Sequence, residues 1–132
     1  MTAVASPDID SLTELLRDAA REELLPRFGR LGSSEKADGS LITEADTAVQ
    51  QRLGAALASH WPAIPLLGEE MSAADQARRL ADAEAGLWCL DPLDGTSNFA
   101  GGFPGFCISL ALLRAGRVDL GLVLDPVRDQ CF

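Results

Sequence analysis

The run Leu87-Trp88-Cys89-Leu90-Asp91-Pro92-Leu93-Asp94-Gly95-Thr96-Ser97-Asn98-Phe99 constrains this chain more than any other part of it. An apolar stretch ends abruptly in two acids three residues apart, and small hydrogen-bonding residues follow at once. The pattern predicts a buried strand over 87–90, a tight exit, and a helix opening near Thr96. Pro92 biases Asp91 toward extended backbone, so Asp91 is read as the strand end and Asp94 as part of the turn. A strand end bearing carboxylates beside a helix N-terminus suits a hard cation on one side and a phosphate on the other.

The remaining composition narrows the classes. With 132 residues the chain is long enough for one domain with a core. The net charge is −9, from 20 acids against 11 bases, and no basic stripe is present, so nucleic acid and anionic membrane surfaces are not expected as partners. An acidic protein that handles phosphate needs borrowed positive charge, and a divalent cation is the simplest source. Cys89, Cys107 and Cys131 lack zinc-site spacing and read as reduced thiols. The single histidine, His60, rules out a His-based cluster within this chain. Met1 to Ser6 lacks signal-peptide character, and the longest apolar stretch, 106–113, is too short to span a bilayer. A cytoplasmic, soluble protein is expected.

Along the chain, Ser6-Pro7-Asp8 reads as a helix start, with Ser6 capping and Pro7 at the first helical position. Ile9, Leu12, Leu15, Leu16, Ala19, Ala20, Leu24 and Phe28 then form one apolar stripe, with an end expected near Pro26 and Gly29. Residues 32–40 read as a loop, and Leu41-Ile42-Thr43 as a short extended piece. A second helix is expected to open at Thr43, carry Ala45, Val49, Leu53, Ala56 and Leu57 on one face, and stop at Pro62. Ile64 to Leu67 reads as a short strand running into Gly68-Glu69-Glu70, and 72–85 as one or two exposed helical turns. Residues 106–113 and 120–124 read as strands joined by a hairpin turn over Arg114 to Arg117, with a further strand opening at Asp129 to Phe132. Helices followed by adjacent strands predict α+β layers rather than a doubly wound sheet.

Chemistry concentrates on the acids. Mg²⁺ takes hard oxygen ligands and keeps water and substrate oxygens in its shell. Asp91 and Asp94 supply two carboxylates, and the backbone carbonyl of Leu93 lies between them. Gly95 permits close backbone approach to a phosphate. Thr96, Ser97 and Asn98 offer N–H groups and hydroxyls. Glu69 follows a second apolar strand in the same manner, so two strand ends at one sheet edge would gather Glu69, Asp91 and Asp94. Three carboxylates exceed what one Mg²⁺ needs, which points to a site for two or more ions. Asp-Pro and Asp-Gly are also ordinary turn dipeptides, and only the joint pattern lifts these residues above that reading.

The segment Trp88 to Phe99 with Pro104, together with Gly68-Glu69-Glu70 and the stretch from Lys36 to Asp46, resembles the inositol monophosphatase family in order and spacing. The resemblance implies the N-terminal part of a layered αβαβα sandwich, two helices and a mainly antiparallel sheet, in an apparently incomplete single domain over 1–132. It implies Mg²⁺-dependent hydrolysis of a small phosphorylated metabolite, an inositol monophosphate or a related phosphate monoester. Glu69, Asp91, the Leu93 carbonyl and Asp94 would be metal ligands for two or three ions per complete site. Gly95, Thr96 and Ser97 would bind phosphate, and Thr96 with Asp46 would orient and activate the attacking water. Lys36 sits where the family has a loop lysine, and a homodimer is plausible on the same ground. Members run longer and carry a Trp-Asp…Ala-Gly motif that these residues lack.

The same chemistry would serve histidinol phosphate, a 3′-phosphorylated nucleotide or fructose bisphosphate. A cation-binding fragment without turnover is the non-enzymatic alternative. Leu93-Asp94-Gly95-Thr96 also resembles the haloacid-dehalogenase start motif, but Pro92 stands where that motif needs its nucleophilic aspartate.

Overall fold

The computed structural model describes residues 7–30, 39–68, 72–75, 77 and 86–132. Helix α1 covers Ile9–Ala19, and its N-cap is Asp8, whose carboxylate accepts the Ser11 N–H at 3.0 Å. The expected cap, Ser6, lies outside the described residues. An aspartate caps as well as a serine and adds charge favourable to the helix dipole, so the start moves two residues on. Leu12, Leu16, Ala19, Ala20 and Leu24 form the buried stripe, whereas Ile9, at the exposed first turn, is 49% accessible.

Pro26 does not end the helix. A π-helical segment over Ala20–Leu24 intervenes, with the Leu25 N–H reaching back to the Ala20 carbonyl, and helix α2 continues over Leu25–Arg30. A proline has no N–H and its ring crowds the preceding turn. The wider turn just before Pro26 accommodates both problems and lets the chain run on.

Helix α3 covers Gly39–His60. The expected extended piece at Leu41-Ile42-Thr43 is helical instead. Those residues pair with no described strand, and in a helix Ile42 joins the core-facing row of Ala45, Val49 and Leu53. Packing overrides the β-propensity of Ile-Thr. Pro62 follows the last turn, where the Trp61 N–H bonds the Leu57 carbonyl. No described helix is long and apolar enough to cross a membrane.

The sheet has the order β1-β2-β3-β4-β5, formed by Leu66–Gly68, Leu87–Asp94, Cys107–Arg114, Arg117–Asp125 and Gln130–Cys131. Strand β1 runs parallel to β2, and every other neighbour pair is antiparallel. The β3–β4 hairpin turns on Ala115 and Gly116, both at positive φ (51° and 74°), the backbone that a two-residue hairpin requires. Of the helical turns expected over 72–85, only 72–75 and 77 are described, and 73–75 are helical. A five-residue helix, α4, covers Thr96–Ala100 between β2 and β3.

The helices cover one face of the sheet. Trp88, Leu90, Ile108, Leu110, Leu112, Leu122 and Leu124 share a single core with Leu12, Leu16, Leu24, Val49, Leu53 and Leu57. Trp61 closes the far end of α3 onto β2 through Trp88, ring centres 5.8 Å apart. Phe99 ties α4 to the same core: it is fully buried, 5.7 Å from Phe28 and 5.1 Å edge-on from Phe106. An ion network joins the helices. Glu23 receives Arg27 at 3.0 Å and Arg52 at 2.9 Å, and Arg27 also reaches Glu44 of α3 at 2.9 Å.

Two consequences are measurable. Phe99→Ala removes the only fully buried side chain of α4, and urea denaturation should show a loss of about 3–5 kcal/mol; a loss below about 1 kcal/mol would mean that this ring does not anchor the turn. Arg52, then Arg27, hold the Glu23 carboxyl below its ordinary range against the opposing effect of burial. A lowered carboxyl stabilises the fold above the unfolded-state value, near about 4.3, and that contribution disappears as pH falls through the folded-state value. Glu23→Gln should therefore cost about 1 kcal/mol at pH 7, after allowance for solvent screening. The gap to wild type should close in denaturation curves taken at successively lower pH, and a constant gap would refute the assignment.

Candidate metal and phosphate site

Strand β2 does not stop at Leu90 but runs through both acids to Asp94. Asp91 pairs with Ser109 and Asp94 pairs with Cys107, so three steps on β2 oppose two on β3. The extra residue makes a bulge in which Pro92, which has no ladder donor, is tolerated. Side chains three apart on a regular strand point to opposite faces. The bulge removes that mismatch, and Asp91 and Asp94 take the face of Ser109 and Cys107, while Pro92 and Leu93 are buried. Asp94 is thus the last residue of the strand rather than part of a turn.

The local contacts agree with this register. Asp91 Oδ1 accepts the Leu93 N–H at 3.3 Å, an Asx-type turn that holds the carboxylate against the bulge. The Cys107 thiol lies 3.9 Å from Asp94 Oδ2 and donates toward it. Burial pushes the Asp91 carboxyl above its ordinary range, the Leu93 N–H opposes this, and the charge of Asp94 pushes it up further. Burial, followed by Asp94 and Asp91, raises the Cys107 thiol, so it stays protonated at neutral pH. Cys107 carries no motif, and only the pairing register brings it to the acids.

Gly95 follows at φ 90°, ψ 40°, the left-handed conformation that glycine adopts without strain. A side chain there would also meet the Gly105 carbonyl at 2.6 Å and Phe106 Cα at 3.1 Å. Helix α4 then begins at Thr96, with the Phe99 N–H bonded to the Gly95 carbonyl at 3.0 Å. Thr96 is half-buried and Ser97 exposed. Asn98 faces away from the core and donates through Nδ2 to the Gly105 carbonyl at 2.7 Å. Asp46 is the buried acid of α3, 7% exposed, on a helix that packs against both β2 and α4. Glu69 and Lys36 lie outside the described residues.

The donors fit a hard cation. Two carboxylates share one face, a backbone carbonyl (Leu93) stands between them in sequence, and the repulsion that raises Asp91 is of the kind a cation relieves. Among the described residues no three His, Cys, Asp or Glu side chains gather closely enough to hold an ion alone. Mg²⁺ is commonly held by one or two carboxylates completed by water and phosphate oxygens, so a pair is compatible with it.

Known proteins share both the sequence and the fold. The profile of the inositol monophosphatase family matches residues 2–132. A protein named Nus factor SuhB from Pseudomonas aeruginosa is 38% identical over 108 residues, 82% of this chain and 39% of its own. Inositol monophosphatase 1 of Solanum lycopersicum is 38% identical over 97 residues, 74% of this chain and 35% of its own. The solved structure of a Thermotoga maritima IMPase superimposes with a TM-score of 0.70 at 31% identity, covering 93% of this chain and 46% of that one. The chain therefore spans less than half the length of these relatives. With the profile matching from residue 2 to the last, and the α+β layers superimposing on a solved member, the chain belongs to the inositol monophosphatase family.

Proposed function

We propose that this chain supplies the metal- and phosphate-binding part of a Mg²⁺-dependent phosphomonoesterase that acts on a small phosphorylated metabolite, an inositol monophosphate or a close relative. The observation that carries the reading is the bulge that turns Asp91 and Asp94 to one face immediately before Gly95 and Thr96. Family membership supports it.

In this reading Asp91, Asp94 and the Leu93 carbonyl hold Mg²⁺, with Glu69 as a further ligand. Bound Mg²⁺ supplies charge stabilisation at the phosphoryl oxygens and eases deprotonation of the attacking water. Gly95 leaves room for the phosphate to approach the backbone, and the Thr96 and Ser97 N–H and hydroxyl groups bond its oxygens. The Thr96 hydroxyl orients the water and Asp46 takes its proton. Water forms the new P–O bond, the ester P–O bond breaks, and the alcohol leaves with a proton drawn from solvent. The alcohol's identity is not encoded in these acids, so histidinol phosphate, 3′-phosphorylated nucleotides and fructose bisphosphate belong in the same substrate panel. A homodimer and a cytoplasmic setting belong to the same proposal.

A second reading is cation binding without turnover, and it draws on a relative whose name, a Nus factor, is not that of a phosphatase. Phosphate release from inositol 1-phosphate, assayed in a protein carrying this segment at the length of its relatives, decides between them. The wild-type sequence should release phosphate only with Mg²⁺. Asp91→Asn should lower the rate by at least about 100-fold and weaken Mg²⁺ binding in calorimetry by about tenfold or more. Mg²⁺ binding with no phosphate release from any panel member selects the second reading. Turnover of Asp91→Asn near the wild-type rate would refute the metal assignment.

A further inference from the structure

We infer that Asn98 is a positioning residue for this site, acting through Gly105 on the turn that joins Asp94 to Thr96. The inference rests on the phosphatase reading for its kinetic consequence, and on geometry alone for the brace itself.

Asn98 makes two bonds to the segment that returns from α4 to β3. Its side-chain Nδ2–H donates to the Gly105 carbonyl at 2.7 Å, and its own carbonyl accepts the Phe103 N–H at 2.8 Å. The Gly105 N–H bonds the Phe103 carbonyl at 2.8 Å, which closes the segment on itself. There is no slack in this arrangement. A Cβ on Gly105 would meet the Phe103 ring at 2.9 Å and Asn98 Nδ2 at 3.0 Å, and a Cβ on Gly95 would meet the Gly105 carbonyl at 2.6 Å. The Asn98 amide therefore holds the Gly105 carbonyl where it leaves no room for a side chain at Gly95. From Gly105 the chain enters β3 through Phe106 and reaches Cys107, the pairing partner of Asp94.

One amide thus bears on both residues of the turn: on Gly95 through the close Gly105 carbonyl and on Asp94 through its strand partner. Helix α4 is only five residues long and cannot hold its own orientation. Phe99 anchors its inner side, and Asn98 braces its outer side. Because Asn98 is exposed, replacing it opens no cavity in the core, and its effect on geometry is separable from its effect on stability.

The test compares Asn98→Ala, Asn98→Asp and Asn98→His with wild type in phosphate release, thermal unfolding and amide hydrogen exchange. Aspartate keeps the size but loses the donor, whereas histidine Nδ1–H offers a donor at the same number of bonds from Cβ. Expected are a fall in kcat of about 10- to 100-fold for alanine and aspartate with KM nearly unchanged, and recovery in histidine. Exchange at Phe99 and Phe103, whose N–H groups bond the Gly95 and Asn98 carbonyls, should speed up in the same two variants and not in histidine. Unchanged exchange in Asn98→Ala and Asn98→Asp would overturn the inference, as would a kcat loss that only follows the unfolded fraction. A wild-type protein that releases no phosphate would sink the phosphatase reading instead, and the exchange data would still decide for or against the brace.

Discussion

The arrangement of this protein around its acids depends on one irregularity, the extra residue that β2 carries between Asp91 and Asp94. Without it, pleating would send the two carboxylates to opposite sides of the sheet, one of them into the face that the helices cover. With it, both stand on the face opposite that of Trp88 and Leu90, while Pro92 and Leu93 take the buried positions between them. A proline in the middle of a sheet ordinarily costs a ladder bond; at a bulge that bond is already absent, so residue and geometry suit each other.

The packing behind the bulge explains why the acids can be held together. Leu93 is buried, Phe99 is locked among Phe28 and Phe106, and α3 lies across β2 with Trp61 against Trp88 at one end. Two carboxylates on one face repel each other, and part of Asp91 is withdrawn from water. That unfavourable term is offset by the surrounding core. The repulsion part of that term is of the kind a bound cation would relieve, which is what the proposed metal role requires. The net charge of −9 acts in the same sense as that proposed role, since a negative long-range field attracts cations.

Several elements were legible from local chemistry. The apolar stripe from Leu12 to Leu24, the stop at Pro62, the hairpin at Ala115-Gly116 and the last strand at Gln130–Cys131 all follow from periodicity or turn residues. Others were not. Leu41 to Thr43 carries β-branched residues yet joins a helix, because Ile42 finds its contacts in the core row of α3. Pro26 signals a helix end, but a π turn absorbs it. Cys107 meets the candidate site only through strand register, which leaves no local pattern, and although Asn98 belongs to the run after the acids, its bond to Gly105 depends on a loop closure that the run does not reveal.

The sequence by itself determined that acids follow an apolar strand, that a glycine and small polar residues follow the acids, and that the chain resembles one phosphatase family. Those are statements about neighbours along the backbone, where propensity and spacing act. Only the tertiary structure decided that Asp91 and Asp94 share a face, that Cys107 stands beside Asp94, and that the Gly105 carbonyl leaves no room for a side chain at Gly95. Each of these depends on which residue of β3 lies opposite which residue of β2. That register comes from the summed packing of the sheet on its helices, and no short stretch of sequence carries it.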